Sequence, residues 1–166
     1  MSHGLTTIPH KLCSHLQNVS RGAIARTPLP YTTANLAIST ILLRHGLISN
    51  LTLGDPQQPN PSAFHSAAAL QRRIWVDMKY RNGLPVLRNM SLISKPSFRV
   101  YVTRDELGRI LHGKRARNVG GVGMGEILIV KTENDRSRGR TGRDTYMDGW
   151  EAWRAGLGGE LLLRAA

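Results

Sequence analysis

Basic and aromatic side chains alternate with apolar ones in the segment 95–102, and these residue types are suited to binding a polyanion. The apolar positions are Phe98, Val100 and Val102. They are predicted to face a core, which leaves Arg99 and Tyr101 on the opposite face of a strand, with Lys95 just before it. Guanidinium groups bind phosphate oxygens and aromatic rings stack on flat bases, so this face is typical of RNA-binding proteins.

Local signals also predict the elements that follow this strand. Thr103 and Glu106 form a capping-box pattern, which predicts a helix over 103–112. A glycine-rich segment, 113–125, then leads to 126–130, an apolar run typical of a strand buried on both faces. The residues 131–146 form a predicted charged loop, in which basic side chains could contact phosphate.

Catalytic and cofactor chemistry has no support in the sequence. The glycines of 121–125 follow a predicted helix and precede a strand, whereas a phosphate-binding loop follows a strand and opens a helix. A tight connection is therefore favoured. The six histidines share no metal-ligand spacing, and no nucleophile–base grouping stands out. We expect no catalytic residue, no cofactor, no metal and no small-molecule substrate.

The charge balance favours nucleic acid as the partner. Among 166 residues, Lys and Arg number 23 against 11 acidic residues, which gives a net charge of +12. No apolar run approaches the roughly 18 residues of a membrane-spanning helix, so no membrane partner is expected. The single cysteine, Cys13, excludes an internal disulfide framework.

No acidic residue precedes Asp55, whereas Lys11, Arg21, Arg26 and Arg44 all do. An acid-free start that contains Arg and Ser is typical of an organelle-targeting segment. An RNA-facing half that avoids carboxylates would have the same composition. Both interpretations stay open at this point.

The first half is predicted to alternate helices and strands. In order, the predicted elements are a helix over 7–18, a short strand over 21–26 ended by the breaker 27–30, a helix from a cap at 31–33 to Gly46, a strand over 47–54, a polar loop over 55–66, a strand over 73–80, and a hairpin at Asn82–Gly83 leading into 84–94. Near the end of the chain, Asp148 and Glu151 predict a capped helix that runs to Ala155. A final strand is predicted over 158–163. Trp150 and Trp153 share a face of that helix, where core packing is favoured over base stacking.

Taken in order, several motifs resemble the small-ribosomal-subunit protein eight family over nearly the whole chain. Leu16 and Asn18 match its first-helix pattern, and 36–48 resembles its second helix and the exit from it. The segment 94–101, Ser-Lys-Pro-Ser-Phe-Arg-Val-Tyr, resembles the family's Ser-Arg-Pro-Gly-Leu-Arg-Ile-Tyr. Residues 105–107 and 155–160 match as well, and five matches in order make the resemblance specific.

The resemblance implies an α/β (α+β) protein of two small subdomains. An N-terminal αβαββ-type unit, 1–93, would pack on a mostly β C-terminal unit with short helices, 94–166. The implied role is that of a non-enzymatic structural constituent of the small ribosomal subunit. Such a protein binds the central domain of small-subunit rRNA, contacts neighbouring ribosomal proteins, and supports subunit assembly and translation.

Two departures from the family pattern favour a mitochondrial ribosome. The family's Ser-Thr-Ser-x-Gly RNA-contact motif follows the buried strand, where this chain keeps only the hydroxyl of Thr132 and has Lys131 before it. The chain also has extra residues at 113–122 and 134–146. Eroded motifs and insertions fit organellar ribosomes, so the mitochondrial matrix is the expected location, with or without cleavage of a targeting segment.

The predicted rRNA contacts are Lys95, Arg99, Tyr101, Lys131, Thr132, Gly158 and Gly159. For the two glycines, close approach of RNA to the backbone competes with a role in the turn alone. Glu160 is expected to orient a neighbouring donor rather than to meet phosphate. The alternative function is a free regulatory RNA-binding protein outside the ribosome.

Overall fold

The computed structural model describes residues 9–166, and the mixed α+β class is confirmed. The elements are α1 (His10–Arg21), β1 (Arg26–Pro30), α2 (Thr33–Arg44), β2 (Ile48–Gly54), α3 (Pro61–Ser66), β3 (Arg73–Met78), β4 (Tyr80–Arg81), β5 (Leu84–Pro85), β6 (Met90–Leu92), β7 (Tyr101–Val102), α4 (Arg104–Leu111), β8 (Ile127–Lys131), β9 (Tyr146–Asp148), α5 (Gly149–Arg154) and β10 (Gly159–Ala165). The first residues of the helix predicted over 7–18, and positions 1–8 of the acid-free start, lie outside the described residues.

The N-terminal half, residues 9–93, is built on an antiparallel sheet of order β1-β3-β2. The inward residues of β3, Ile74, Val76 and Met78, are buried and pack with apolar side chains of α1 and α2. The helix–strand order α1-β1-α2-β2-β3 is interrupted only by the short α3 and a 3-10 turn at Ala69–Gln71. The predicted αβαββ arrangement is therefore present among the described residues.

The first strand lies later than predicted. The prediction placed it over 21–26 and interpreted 27–30 as a breaker, but the strand is Arg26–Pro30, and Ala23 adopts a left-handed turn conformation with φ 54°. β1 is an edge strand in which Thr27 and Leu29 face the core while Pro28 and Pro30 face outward. Proline is tolerated there because an edge strand has backbone positions that need no ladder hydrogen bond.

The predicted helix up to Gly46 is present and has the expected ends. The Thr32 hydroxyl accepts a hydrogen bond from the Asn35 backbone N–H at 3.1 Å, which caps the first turn of α2. Gly46 adopts φ 71°, a conformation that allows the chain to turn into β2 without strain. The hairpin predicted at Asn82–Gly83 is also present, between β4 and β5.

The polar loop predicted over 55–66 contains a helix. Asn60 caps α3 by accepting the Ser62 N–H at 3.0 Å, and Pro61 occupies the first helical position. Phe64 is buried against the edge of Tyr31, with ring centroids 5.0 Å apart. This contact anchors the short helix, whereas composition alone indicated only a loop.

The C-terminal half, residues 94–166, contributes four strands to a second antiparallel sheet of order β6-β10-β8-β9, with β7 also pairing to β10. Its edge strand β6 belongs to the N-terminal half and pairs with β10. The prediction that β8 is buried on both faces is confirmed, because Leu128, Ile129 and Val130 are all 0% exposed. Ile129 packs into a core shared with the N-terminal half, while Leu128 and Val130 pack into a second core under α4 and α5. One strand thus joins two cores, which explains its continuous apolar run.

The two short helices of this half differ in how they begin. α4 has the complete capping box that Thr103 and Glu106 predicted. α5 forms where predicted, but the Asp148 side chain makes no capping hydrogen bond and lies instead 3.5 Å from His45 at the end of α2. The helix was predicted correctly but its side-chain cap was not, because the Asp148 carboxylate faces His45 of the N-terminal half.

Trp150 and Trp153 pack as predicted. Both are partly buried against the second core, with ring centroids 5.8 Å apart, and the edge of His112 approaches both rings. The glycine-rich segment 121–125 lies between helix and strand, as the tight-connection interpretation expected. Within residues 9–166, no helix is long and apolar enough to cross a membrane.

Candidate nucleic-acid interface

A groove of about 760 Å³ opens at the end of the C-terminal sheet where β7, β8 and β10 converge. Its lining includes five of the predicted contact residues: Tyr101, Lys131, Thr132, Gly158 and Gly159. These residues come from three separate stretches of chain, and the antiparallel pairing of the strands brings them together. Tyr101 is 57% exposed, so its ring is available as a stacking surface.

The segment before β7 is a turn rather than a strand. The backbone N–H groups of Lys95 and Phe98 each donate to the other residue's carbonyl, at 2.8 and 3.0 Å. Phe98 was predicted to face the core, but it is 65% exposed. The prediction failed because the tight turn around Pro96 shortens the strand to Tyr101–Val102. Lys95 and Phe98 therefore stand exposed at one tip, outside the groove lining.

A buried serine holds this turn against the sheet. Ser94 is 0% exposed; its hydroxyl donates to the Leu161 carbonyl at 2.5 Å and accepts the Val100 N–H at 3.0 Å. The first bond joins Ser94 to β10 and the second joins it to the residue before β7, so together they fix the position of the turn relative to the groove. Ser94 is also the first residue of the segment 94–101 that resembles the family motif.

Arg99 pairs with the carboxylate of Glu160. The Arg99 Nη1 atom lies 3.5 Å from Glu160 Oε1, with the glutamate side chain 6% exposed and the arginine side chain 26% exposed. Glu160 therefore faces a cationic donor, in line with the expected orienting role. The guanidinium is partly exposed, so it remains accessible to a ligand while it is paired with Glu160.

Lys131 and Thr132 occupy the end of β8 in different environments. Lys131 is half-buried, with Nζ 5.6 Å from the centre of the Tyr146 ring. Thr132 is buried, and its hydroxyl donates to the Thr145 carbonyl at 3.0 Å. Burial, and next the charge of Glu160, raise the pKa of Tyr146, so its phenol stays neutral under the lysine. The Thr132 hydroxyl is therefore used in a hydrogen bond within the loop, whereas Lys131 places a positive charge at the end of β8.

Gly158 and Gly159 lie where strands approach too closely for a side chain. A Cβ on Gly158 would lie 2.4 Å from the Val102 carbonyl oxygen, and a Cβ on Gly159 would lie 2.3 Å from the Lys131 carbonyl oxygen. Both are well under the separations that real Cβ atoms show. Packing within the protein therefore requires both glycines, and the same absence of side chains leaves backbone exposed in the groove wall.

The loop 131–146, predicted as simply charged, is ordered by Asp135. This carboxylate accepts the Ser137 hydroxyl at 2.6 Å and the Arg140 guanidinium at 3.0 Å. The Ser137 hydroxyl, more than the adjacent arginines, holds the pKa of Asp135 below its ordinary value. Asp135 caps the short 3-10 turn at Arg136–Arg138, and a second 3-10 turn follows at Gly142–Thr145. The sequence analysis missed Asp135 and Arg140, although an Asp-x-Ser turn pattern was available as a signal.

The charges around the groove are nearly balanced. Its lining holds two basic residues, Lys131 and Arg140, and three acidic ones, Glu133, Asp135 and Glu160. A groove with an exposed phenol, open backbone and little net charge suits a flat, uncharged group such as a nucleobase. Within residues 9–166, no group of His, Cys, Asp and Glu side chains could hold a metal ion.

A basic α+β protein with such a groove fits the class of structural RNA-binding proteins. The family model described as ribosomal protein S8 matches residues 10–129. A small ribosomal subunit protein uS8m from Neurospora crassa is 42% identical over 130 residues, covering 74% of this chain and 81% of that protein. A uS8m from Schizosaccharomyces pombe is 32% identical over 127 residues, covering 75% of this chain and 84% of its own. A bacterial relative, uS8 from Nitrosomonas europaea, is 29% identical over 151 residues, covering 91% and 90%.

The chain belongs to the ribosomal protein S8 family. The resemblance inferred from the motifs is thereby confirmed, as is the expectation of a structural, non-enzymatic protein of the small ribosomal subunit. The family model ends at residue 129, just before the loop 131–146. Of the groove lining, Tyr101 and Val102 lie inside the matched range, whereas the loop residues and 156–160 lie beyond it.

Proposed function

We propose that this protein is a constituent of the mitochondrial small ribosomal subunit, in the mitochondrial matrix, where it binds the central domain of the small-subunit rRNA. The main support is the match to relatives named uS8m over three quarters of the chain. The net charge of +12 supports a polyanionic partner. Neighbouring ribosomal proteins complete its surroundings in this proposal.

In the proposed complex, an unpaired base enters the groove and stacks on Tyr101. The open backbone at Gly158 and Gly159 approaches the same nucleotide, and Lys131 meets an adjacent phosphate. Arg99, held by Glu160, contacts RNA at the rim. Lys95, at the exposed turn, contacts the flanking strand. Thr132 contributes mainly by fixing the loop through Thr145, because its hydroxyl is buried.

Sedimentation tests the ribosomal role. A tagged copy of the protein, expressed in the organism from which the sequence comes, is expected to co-sediment with the mitochondrial small subunit in high salt. A free regulatory RNA-binding protein would remain near the top of the gradient, and that result would refute the proposal. Purified protein should also prefer a central-domain transcript over an unrelated RNA of equal length at moderate ionic strength.

Substitution of Tyr101 tests the groove. Tyr101→Ala should weaken binding to the central-domain transcript by about 1–3 kcal/mol, since it removes one stacking surface. Tyr101→Phe is the matched control, because it keeps the ring and loses only the hydroxyl. Equal affinities for the wild type and Tyr101→Ala would show that the base binds elsewhere.

A further inference from the structure

A second cleft, of about 380 Å³, lies between α2 of the N-terminal half and the loop 131–146. Its charged lining residues are Arg44, Arg138, Arg140, Arg143, Asp144 and Glu151. Four arginines thus face two acidic residues, the opposite balance from the groove. We call this the arginine cleft. Its arginines come from both halves of the chain, since Arg44 is on α2 and the other three are on the loop.

The arginines of the cleft are only partly neutralised by the protein itself. Arg138 and Arg140 share one carboxylate, that of Asp135, at 3.7 and 3.0 Å. Arg44 lies 3.7 Å from Glu151, and both side chains are at least half exposed, so water screens the pair. Arg143 is exposed, and its side chain has no ion-pair partner within residues 9–166. The cleft therefore keeps positive charge available for an anion.

The arginine cleft is continuous with the groove. Arg140 lines both, with its side chain 15% exposed and its Nε atom buried without an acceptor among the described residues. Tyr146 lines the cleft while Lys131, which lies over its ring, lines the groove. A single extended ligand can therefore occupy both without leaving the protein surface.

We propose that the arginine cleft binds the phosphate backbone of the same RNA strand whose base enters the groove, so that the RNA bridges the two halves. The inference rests on the proposed function and deepens it. Guanidinium groups recognise phosphate through paired N–H donors, and successive phosphates of one strand require cations in a row. Continuity with the groove favours RNA over an acidic protein segment, which would have no reason to align with a base-sized site.

Arg143 offers a clean test because its removal breaks no ion pair within the described structure. The full-length protein is titrated with the central-domain transcript over a range of salt concentrations. Arg143→Ala should lower affinity for the transcript roughly 3- to 30-fold. It should also reduce the slope of log affinity against log salt concentration by roughly the amount that one phosphate contact contributes. Arg143→Lys should keep most of the slope. Arg81→Ala, which removes an equal charge outside both lining sets, is the control.

The outcomes separate the two proposals. If Tyr101→Ala weakens binding but Arg143→Ala behaves like Arg81→Ala, the arginine cleft is not a phosphate site, and the groove proposal stands. If Arg143→Ala abolishes binding of polyglutamate and leaves RNA binding unchanged, the cleft serves an acidic protein partner, and the inference is wrong. A wild type with no preference for the transcript would instead refute the proposed function.

Discussion

Replacing Gly159 by alanine should destabilise the fold through one identifiable clash. The added Cβ would lie 2.3 Å from the Lys131 carbonyl oxygen and 3.2 Å from the Thr132 Cα. All of the nearest atoms are backbone of Lys131, at the end of β8, and of Thr132 after it, so no side-chain rotation can relieve the overlap. Forcing a methyl group into a packed sheet costs about 1–3 kcal/mol. For a chain of this size, that corresponds to a melting temperature roughly 3–10 °C lower.

Thermal unfolding followed by circular dichroism measures this effect. Gly120→Ala is the matched control, because its Cβ would meet nothing within 4 Å and its φ lies outside the left-handed region. The control should stay within about 0.5 kcal/mol of the wild type. If Gly159→Ala and Gly120→Ala melt at the same temperature, β8 and β10 do not approach each other as closely as described, and the groove wall must be drawn differently.

Two further predictions concern titratable groups. The Thr103 backbone N–H, and then Arg117, hold the pKa of Glu106 below its ordinary value of 4.5, so the ionised form stabilises the fold. The wild type should therefore melt at a higher temperature than Glu106→Gln above pH 4.5, and this difference should disappear as the pH falls through the lowered pKa. A difference that does not change with pH would contradict this linkage. Burial raises the pKa of the Cys13 thiol to about 12. Iodoacetamide at mildly alkaline pH should therefore label the unfolded protein quickly and the native protein slowly, as measured by mass spectrometry. Rapid labelling of the native protein would show that α1 opens.

The helix ends could be predicted because their signals are local. Thr32, Gly46 and the Thr103–Glu106 pair each act within four residues, so the sequence window contains the whole interaction. The burial of β8 was predictable for a related reason. Its uninterrupted apolar run has no other stable location than between two cores.

The errors occurred where position in the tertiary fold decided the outcome. Pro28 and Pro30 indicated a breaker, yet β1 accommodates both because it is an edge strand, a property of sheet order that no short window contains. Asp148 had the right spacing for a cap, but folding brings its carboxylate within 3.5 Å of His45, a residue at the end of α2 that is remote in sequence. The boundary between subdomains at 93/94 stays a prediction, since the core of the N-terminal half also contains Ile129, Leu162 and Leu163.

The predicted contact residues stay predictions as well, but the structure explains why five of them line one groove. Antiparallel pairing in β10 places Gly159 opposite Val102 and Glu160 opposite both Tyr101 and Lys131. Residues near 101, 131 and 159 are therefore neighbours by register alone. The sequence indicated the residue types, and the strand order supplied the proximity that no spacing rule could provide.

The loop after β8 has three arginines that line the arginine cleft, and the hydroxyl of Thr132 at its start is buried. Thr132 supplies the one hydroxyl that matches the resembled motif, and this hydroxyl donates to the Thr145 carbonyl rather than facing a ligand. The following residues add Arg138, Arg140 and Arg143 instead. Hydrogen bonds from hydroxyl groups distinguish bases, whereas guanidinium contacts to phosphate add affinity with little sequence information and weaken as salt rises. If the arginine cleft binds as proposed, affinity for rRNA should be more sensitive to salt than to substitutions in the bound RNA sequence.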